Sequence, residues 1–223
     1  HDFWWIAYAG DLDPIGEAQE IRDELLRSVW GVWDHVKNHC PALREKAARF
    51  ELSPAGTVLG KRESRRLVGD HVLTQWEVQS AVLFPDRVAY GGWPIDLHPP
   101  RGIFDPGFAT EQTFVSPYAI PFRSLYSRSL DNLLFAGRHL SASHVALGST
   151  RVMGTIASCA QAAGTAAALC ARRGMTPREL LAGSVGLLQS ELIRNDARFP
   201  EPPPDPANLA RAFAAADREW TGT

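Results

Sequence analysis

The sequence predicts an α+β fold in which a mixed sheet packs against one long buried helix. The helix is predicted over residues 149–173, where small apolar side chains dominate. The run NLLFAG, residues 132–137, comes shortly before it and ends at glycine, which favours a strand buried on both faces. A third observation is an apolar repeat over residues 13–38, which predicts an amphipathic helix.

The helix over residues 13–38 has a recognisable start. Asp13 is a suitable N-cap, and Pro14 suits the first helical position. Apolar residues then recur at spacings of three and four, and so predict one apolar stripe: Ile15, Ala18, Ile21, Leu25, Val29, Val32 and Val36.

Less regular structure is predicted for the middle of the chain. Residues 40–60 read as loop and short strands, and residues 70–74 as a strand. A short helix is expected over residues 76–82. Residues 85–117 are rich in glycine, proline and aromatic residues, which favours turns, and a long ordered loop of this kind is often functional.

The long helix has clear end signals. Ser149 is a suitable N-cap, and Gly174 suits the left-handed position just beyond the end. Two rows of small residues along it predict close packing around most of its circumference: Gly154, Ser158, Ala162 and Ala166 in one row, and Ala160, Gly164 and Ala168 in the other.

Two further helices are predicted towards the C-terminus. Thr176 and Glu179 have the spacing of a capping box, and Ser184 is expected to cap a helix whose inward residues are Leu187, Leu188 and Leu192. The proline-rich run over residues 200–206 predicts a stiff linker. A short terminal helix is expected over residues 207–220.

Bulk composition excludes several classes of function. The net charge of −2 gives no reason to expect a nucleic-acid partner, and no apolar run is long enough to predict a membrane span. The three cysteines do not form a disulfide framework or a zinc-binding pattern, so free thiols and no metal are expected. Residues 1–10 lack the pattern of a signal peptide, which leaves localisation open.

The start of the long helix is the first candidate binding site. A strand, a glycine, a loop and a second glycine lead into it, which gathers free backbone N–H groups at the positive end of the helix dipole. Such an end attracts phosphate, carboxylate or a developing anion. The alternative is a plain core helix that binds no ligand.

Four stretches make this sequence resemble a known family. They are IPFRSLYSRSLDNLLFAGRHLSASHVALGSTRVMGTIASCAQAAGTAAAL (residues 120–169), GKRESRRLVGDHVLTQ (residues 60–75), YGGWPIDLHPPRG (residues 90–102) and WGVWDHVKN (residues 30–38). Together they resemble the FAD-dependent oxidoreductases with the glutathione-reductase type of FAD-binding fold. The resemblance covers roughly residues 1–195.

The resemblance implies a cofactor, FAD, and a small-molecule substrate. It places Gly137 and Arg138 beside the ribityl–phosphate chain, although many members carry an acidic residue where Arg138 stands. It also implies that a run of backbone N–H groups lies near the isoalloxazine ring, from Gly148, Ser149, Thr150, Arg151 and Val152.

The fingerprint that binds the ADP half of FAD is missing. The family carries it as GxGxxG on an N-terminal βαβ unit, and no two glycines here have even the G-x-G spacing. We therefore expect a C-terminal fragment of a two-domain enzyme, with a separate subunit as the alternative source of the missing segment. The expected regions are a substrate-binding or cap-like part (1–120), a flavin-facing strand, loop and helix (121–195), and a linker with a terminal helix (196–223).

Two histidines are candidates for the base that flavin oxidation of a substrate requires. Asp96 and His98 point to one side of an extended segment, so the carboxylate can orient the imidazole. His144 lies in the loop before the long helix. For each histidine the alternative is a structural role.

Three arginines are candidates for substrate binding: Arg62, Arg65 and Arg123. They suit an anionic or hydroxylated substrate, or else an internal network of salt bridges in which Glu63 takes part. No G-x-S-x-G elbow supports a serine hydrolase. The sequence thus predicts the C-terminal part of an FAD-dependent oxidoreductase. The alternative is a non-catalytic module that retains the family shape without flavin.

Overall fold

The computed structural model describes residues 6–107, 110–198 and 200. This part of the chain mixes helices with short strands, so the α+β class is confirmed. In chain order the elements are α1 Ala18–Asp34, α2 Arg44–Ala47, α3 Gln75–Gln79, β1 Arg87–Gly91, β2 Ile95–Leu97, β3 Glu111–Thr113, β4 Tyr118–Pro121, α4 His144–Thr150, α5 Met153–Arg173 and α6 Pro177–Arg194. A π-helical turn, His35–His39, follows α1, and 3₁₀ turns span Gly102–Phe104 and Phe122–Ser124.

The strands form two antiparallel pairs, β1 with β4 and β2 with β3. The predicted mixed sheet is therefore wrong, and so is the buried strand over residues 132–137. In that run Leu134 forms an isolated bridge with Tyr126, and Asn132 is exposed. The run bonds to residues 125–126 on one side, where the Phe135 N–H donates to the Leu125 carbonyl at 2.8 Å. It therefore does not form a strand between two neighbouring strands.

Helix α1 begins at Ala18, five residues later than the predicted cap. Asp13 instead makes a local turn, because its carboxylate accepts from the Ile15 N–H at 2.9 Å and its own N–H donates to Glu17 at 2.7 Å. Along α1 only Ile21 is buried, so the apolar stripe packs less than predicted. Residues 40–60 contain the one-turn helix α2, and no strand is present there.

The segment 67–73 passes between the turn after β4, at Arg123, and residues 139–141. The Leu67 N–H donates to the His139 carbonyl at 2.8 Å, and the Leu73 N–H donates to the Ser141 carbonyl at 3.0 Å. Gly69 permits the approach, since a Cβ there would lie 2.4 Å from the Arg123 carbonyl oxygen. The predicted strand over residues 70–74 reduces to one parallel bridge, Leu73 with Ala142. This pairing brings the loop before residue 67 beside residues 138–141.

A capping box at Thr74 and Glu77 starts α3 one residue earlier than predicted. Three strands, β1, β2 and β3, lie within residues 85–117, where the composition favoured turns. Antiparallel partners supply their pairing, so tertiary context outweighs local composition there.

The core lies between β1, β4, α5 and α6. Helix α5 buries one face, which includes Cys159, Ala162, Ala166 and Leu169. Its second row of small residues, Ala160, Gly164 and Ala168, is exposed, so the prediction of a mostly buried circumference is wrong. The prediction of close packing at Gly164 is wrong as well, since a Cβ at this position would have no neighbouring atom within 4 Å.

The predicted start of the long helix is also wrong. Ser149 lies inside the separate helix α4, and α5 begins at Met153 after a bend of 95°. Its predicted end is confirmed, because Gly174 takes the left-handed conformation with φ +63°. Among the described residues no single helix is long and apolar enough to cross a membrane, although the bent pair α4 and α5 passes that test together.

Helix α6 begins at the predicted capping box of Thr176 and Glu179. Ser184 lies at a kink with φ −154°, where two helical pieces meet, and Leu188 and Leu192 are buried as expected. Cys159 and Cys170 are buried free thiols, and Cys40 is a half-buried one. Beyond Pro200, the predicted linker and the terminal helix over residues 207–220 lie outside the described residues.

Candidate functional site

An open cleft of about 570 Å³ lies at the N-terminal end of α5. Three parts of the chain line it: the loop 61–65, the turn at residues 138–139, and residues 151–157 at the start of α5. We call it the arginine cleft, after the four arginines in its wall: Arg62, Arg65, Arg138 and Arg151. It brings together two of the three predicted substrate-binding arginines and two of the predicted cofactor-binding residues.

Gly137 makes the turn that places Arg138 and His139 in the cleft wall. Its φ of +153° is one that other residues rarely adopt. A Cβ at this position would also lie 2.8 Å from the His139 ring. A side chain here would therefore disturb both the turn and the cleft wall.

The N-terminal end of α5 contributes backbone donors. Its first N–H groups, in residues 152–155, have no acceptor inside the helix, and Val152 provides no side-chain cap. The 21-residue helix places the positive end of its dipole here, next to Met153, which is 86% exposed. An anion or an electron-rich edge is favoured at this end.

The predicted backbone donors Gly148, Ser149, Thr150 and Arg151 lie differently from what the sequence indicated. The first three are buried within α4, and the Arg151 N–H donates to the Leu147 carbonyl at 3.1 Å. The Ser149 hydroxyl donates to the Trp93 carbonyl at 2.5 Å and lies 2.7 Å from the Tyr118 hydroxyl. The side chain of Ser149 thus joins α4 to the strands, and the available donors begin at Val152.

The side chain of Arg151 makes contacts that the sequence did not indicate. It contacts the Asp96 carboxylate at 2.5 Å and the Asp96 carbonyl at 3.3 Å, and both side chains are 12% exposed. Because the two residues are 55 positions apart, no local pattern indicates the pair.

Asp96 also contacts His98. The His98 Nε2 lies 3.3 Å from an Asp96 carboxylate oxygen, which confirms that the two side chains share one side of their segment. Burial lowers the pKa of His98, the charge on Asp96 opposes this, and the cations Arg151 and Arg62 lower it further. The imidazole is therefore neutral at neutral pH and able to accept a proton.

Arg62 is crowded by other cations. Its pKa is lowered first by burial and then by repulsion from Arg151 and Arg138, while Asp96 acts in the opposite direction. Arg138 makes no hydrogen bond or ion pair with the described residues. Positive charge thus accumulates along this wall of the cleft.

His144 belongs to a second cluster at the rim. Its Nδ1 lies 2.8 Å from a carboxylate oxygen of Glu63, which also pairs with Arg66. The side chain of His144 is 65% exposed. Partial burial and then the charge of Arg66 lower its pKa. His144 bonds Glu63, which lines the cleft, and His98 contacts Asp96, whose carboxylate pairs with the lining residue Arg151. Neither imidazole lies in the cleft wall.

Arg123 lies apart from the cleft. Its guanidinium makes two hydrogen bonds of 3.0 Å to Asp86, and its backbone N–H makes a third at 3.1 Å to the same carboxylate. Asp86 is 4% exposed. This geometry ties the chain after β4 to the start of β1, and substrate binding by Arg123 stays a prediction that the geometry does not support.

No group of three or more side chains in the described ranges has the arrangement of a metal site.

A model of the FAD dependent oxidoreductase family matches residues 2–192. No curated protein and no solved structure matches the chain.

Proposed function

Because this chain belongs to the FAD-dependent oxidoreductase family, we propose that it supplies the flavin-facing helix end and part of the substrate pocket of such an enzyme. One observation carries the proposal: the exposed N-terminal end of α5 and the guanidinium of Arg138 line the same cleft. The family resemblance assigns Arg138 to the ribityl–phosphate chain and Val152, the N-cap of α5, to the isoalloxazine ring, although they are separate features of the sequence.

The donors in the cleft suit a flavin. The N1–C2=O edge of the ring becomes negative on reduction, and the cleft offers the positive end of α5 to it, with the Arg138 guanidinium in the same wall for the ribityl–phosphate chain. Gly154 leaves the helix end open, since no atom lies within 4 Å of a Cβ built there. A flat ring can thus approach the first turn of α5.

The ADP half of FAD is proposed to be bound elsewhere. No pair of glycines in the sequence has the G-x-G spacing that a dinucleotide-binding turn needs. We expect residues 1–223 by themselves to hold FAD weakly, and a dinucleotide-binding segment outside them to complete the site.

His98 and His144 are proposed to serve proton transfer. A bound flavin accepts the electrons that the substrate loses. His98 contacts Asp96, which in turn pairs with Arg151, and an imidazole that is neutral at neutral pH is suited to take a substrate proton. His144 is bonded to Glu63 and has the same capacity at the rim. Asp96 positions His98, and Arg62 and Arg65 hold the substrate.

Absorbance and fluorescence quenching test this function. The protein in which this chain is joined to its dinucleotide-binding segment is expected to be yellow after purification or after addition of FAD, and to bleach on reduction. The 223-residue chain alone is expected to bind FAD with a dissociation constant above about 1 µM. A colourless joined protein would favour the non-catalytic module, and sub-micromolar binding by the chain alone would refute the need for a second segment.

A further inference from the structure

Arg151 lies at the bend between α4 and α5, where it reaches both the arginine cleft and strand β2. Its backbone N–H donates to the Leu147 carbonyl at 3.1 Å, so the end of α4 fixes its position. Gly148 lets that helix lie close to β2, because a Cβ there would be 3.2 Å from the Asp96 carbonyl oxygen. Arg151 therefore lines the cleft and contacts Asp96 at the same time.

One carboxylate oxygen of Asp96 serves two partners. The Arg151 guanidinium contacts it at 2.5 Å, and the His98 Nε2 lies 3.3 Å from the same oxygen. The other carboxylate oxygen accepts from the Gln112 side chain at 3.4 Å. The side chains of Asp96 and Arg151 are 12% exposed and that of His98 is 21% exposed, so little solvent screens their charges. The three side chains thus connect the cleft to the imidazole.

The charge of Asp96 is divided between these two partners. An imidazolium at His98 gains from a carboxylate beside it, and it gains less when a guanidinium holds the same oxygen more closely. Burial lowers the pKa of His98, the charge of Asp96 raises it, and Arg151 lowers it. Arg62, from the loop 61–65, lowers it as well. Negative charge placed in the cleft offsets the charge of Arg151, and so leaves more of the Asp96 charge to His98.

We propose that Arg151 is a positioning residue that links His98 to the charge in the arginine cleft through the Asp96 carboxylate. The proposal rests on the function proposed above, in which the cleft faces a flavin and His98 is a base. In that reaction a substrate C–H bond and an O–H or N–H bond break and a C=O or C=N bond forms. A hydride goes to the cofactor and a proton goes to His98. The link makes His98 hold its proton better as negative charge enters the cleft, which favours the loss of both from the substrate together.

An NMR titration of the His98 ring in the FAD-loaded protein tests the first part of the link, with the signal assigned by its loss in His98→Gln. Arg151→Gln is expected to move the midpoint of the titration to higher pH, because Asp96 then acts on the imidazole without competition. Arg151→Lys keeps a cation and is expected to titrate closer to the wild type than Arg151→Gln does. The control Arg173→Gln, at the far end of α5, should titrate as the wild type does. An unchanged midpoint in a folded Arg151→Gln would overturn the proposal.

A double variant shows whether Asp96 carries the effect. In Asp96→Asn the carboxylate is absent, so the further change Arg151→Gln is expected to shift the His98 midpoint much less than it does beside Asp96. A melting temperature for each variant shows that the fold is intact. Shifts of equal size in both backgrounds would mean that Arg151 acts on His98 directly, and would overturn the proposed route.

Chemical reduction of the bound flavin tests the second part of the link. Full reduction with dithionite is expected to move the His98 midpoint to higher pH in the wild type and to move it less in Arg151→Gln. No change on reduction of the wild type, or the same change in both proteins, would contradict the link. Failure of the proposed function looks different, because the joined protein would then bind no FAD, whereas the titrations of the Arg151 variants can still be read in the FAD-free protein.

Discussion

Two groups of arginines in this chain differ in what surrounds them. Arg123 and Arg178 each face a carboxylate with two nitrogens: Arg123 contacts Asp86 at 3.0 Å twice, and Arg178 contacts Asp70 at 2.9 Å twice. The wall of the arginine cleft carries four arginines and the carboxylate of Glu63. The first group stabilises the fold, and the second is proposed to face a ligand.

The difference shows how to interpret basic residues in a sequence. In the sequence, Arg62, Arg65 and Arg123 are all candidates for substrate binding or for internal salt bridges, because their partners cannot be seen there. Asp86 lies 37 residues from Arg123, so their pairing depends on the approach of β4 to β1. The folded chain shows that Arg123 is a structural arginine, and binding by Arg62 and Arg65 stays a proposal.

The largest expected effect is at Asp86, the partner of Arg123. Asp86→Ala leaves the Arg123 guanidinium without its partner at a site where the carboxylate is 4% exposed. We expect a loss of about 3 kcal/mol in the free energy of unfolding. Urea denaturation measures it, with the exposed Glu51→Ala as control. A loss below about 0.5 kcal/mol would place Arg123 outside the structural group.

Asp70 should give a smaller loss. Its carboxylate accepts from the Tyr126 hydroxyl at 2.8 Å and pairs with Arg178, whose side chain is 44% exposed. Asp70→Asn keeps the shape and removes the charge, so we expect about 1–2 kcal/mol of destabilisation. Denaturation of the double variant Asp70→Asn with Arg178→Gln should show a clearly smaller loss than the sum of the two singles, and strict additivity would contradict the pairing.

In the cleft, removal of Arg138 should change stability little without a ligand, because Arg138 makes no hydrogen bond or ion pair with the described residues. Arg138→Gln also relieves its repulsion of Arg62, so we expect the free energy of unfolding to stay within about 0.5 kcal/mol of wild type or to rise slightly. Thermal unfolding at low salt measures the change. A loss comparable to that of Asp86→Ala would mean that Arg138 also belongs to the structural arginines.

The pH dependence of stability probes the same cleft through His98. Burial lowers its pKa in the folded chain from the ordinary value of histidine, so the unfolded chain binds more protons as the pH falls through the range in which free histidine titrates. Stability is therefore expected to decline with acid, and less steeply in His98→Gln than in the wild type. Melting temperatures between about pH 7.5 and about pH 5 test this, with the exposed His35→Gln as control. Identical slopes in all three proteins would contradict the burial of a neutral His98.

The sequence predicted some helix ends well because the residues that determine them are neighbours in the chain. The capping box of Thr176 and Glu179 and the left-handed Gly174 use neighbouring residues, and both are where they were expected. The division between α4 and α5 was missed, since small residues continue through the bend and only the non-helical Val152 marks it. Along α5, composition did not distinguish the buried Ala166 from the exposed Gly164.

The candidate site was predicted in part for a similar reason. Asp96 and His98 are two positions apart on an extended segment, so their contact follows from the alternation of side chains. The contact of Arg151 with Asp96 and the bond of His144 to Glu63 join distant parts of the chain. Only the folded chain shows these contacts.

The midpoint potential of the bound flavin tests most directly whether the arginine cleft faces the cofactor. Positive charge near the ring stabilises the more negative reduced form, so Arg138→Gln is expected to lower the potential of the FAD-loaded protein by about 30 mV or more. The control Arg173→Gln should leave it unchanged. A potential in Arg138→Gln equal to that of the wild type, with FAD still bound, would contradict the account, because the flavin would then lie away from this cleft.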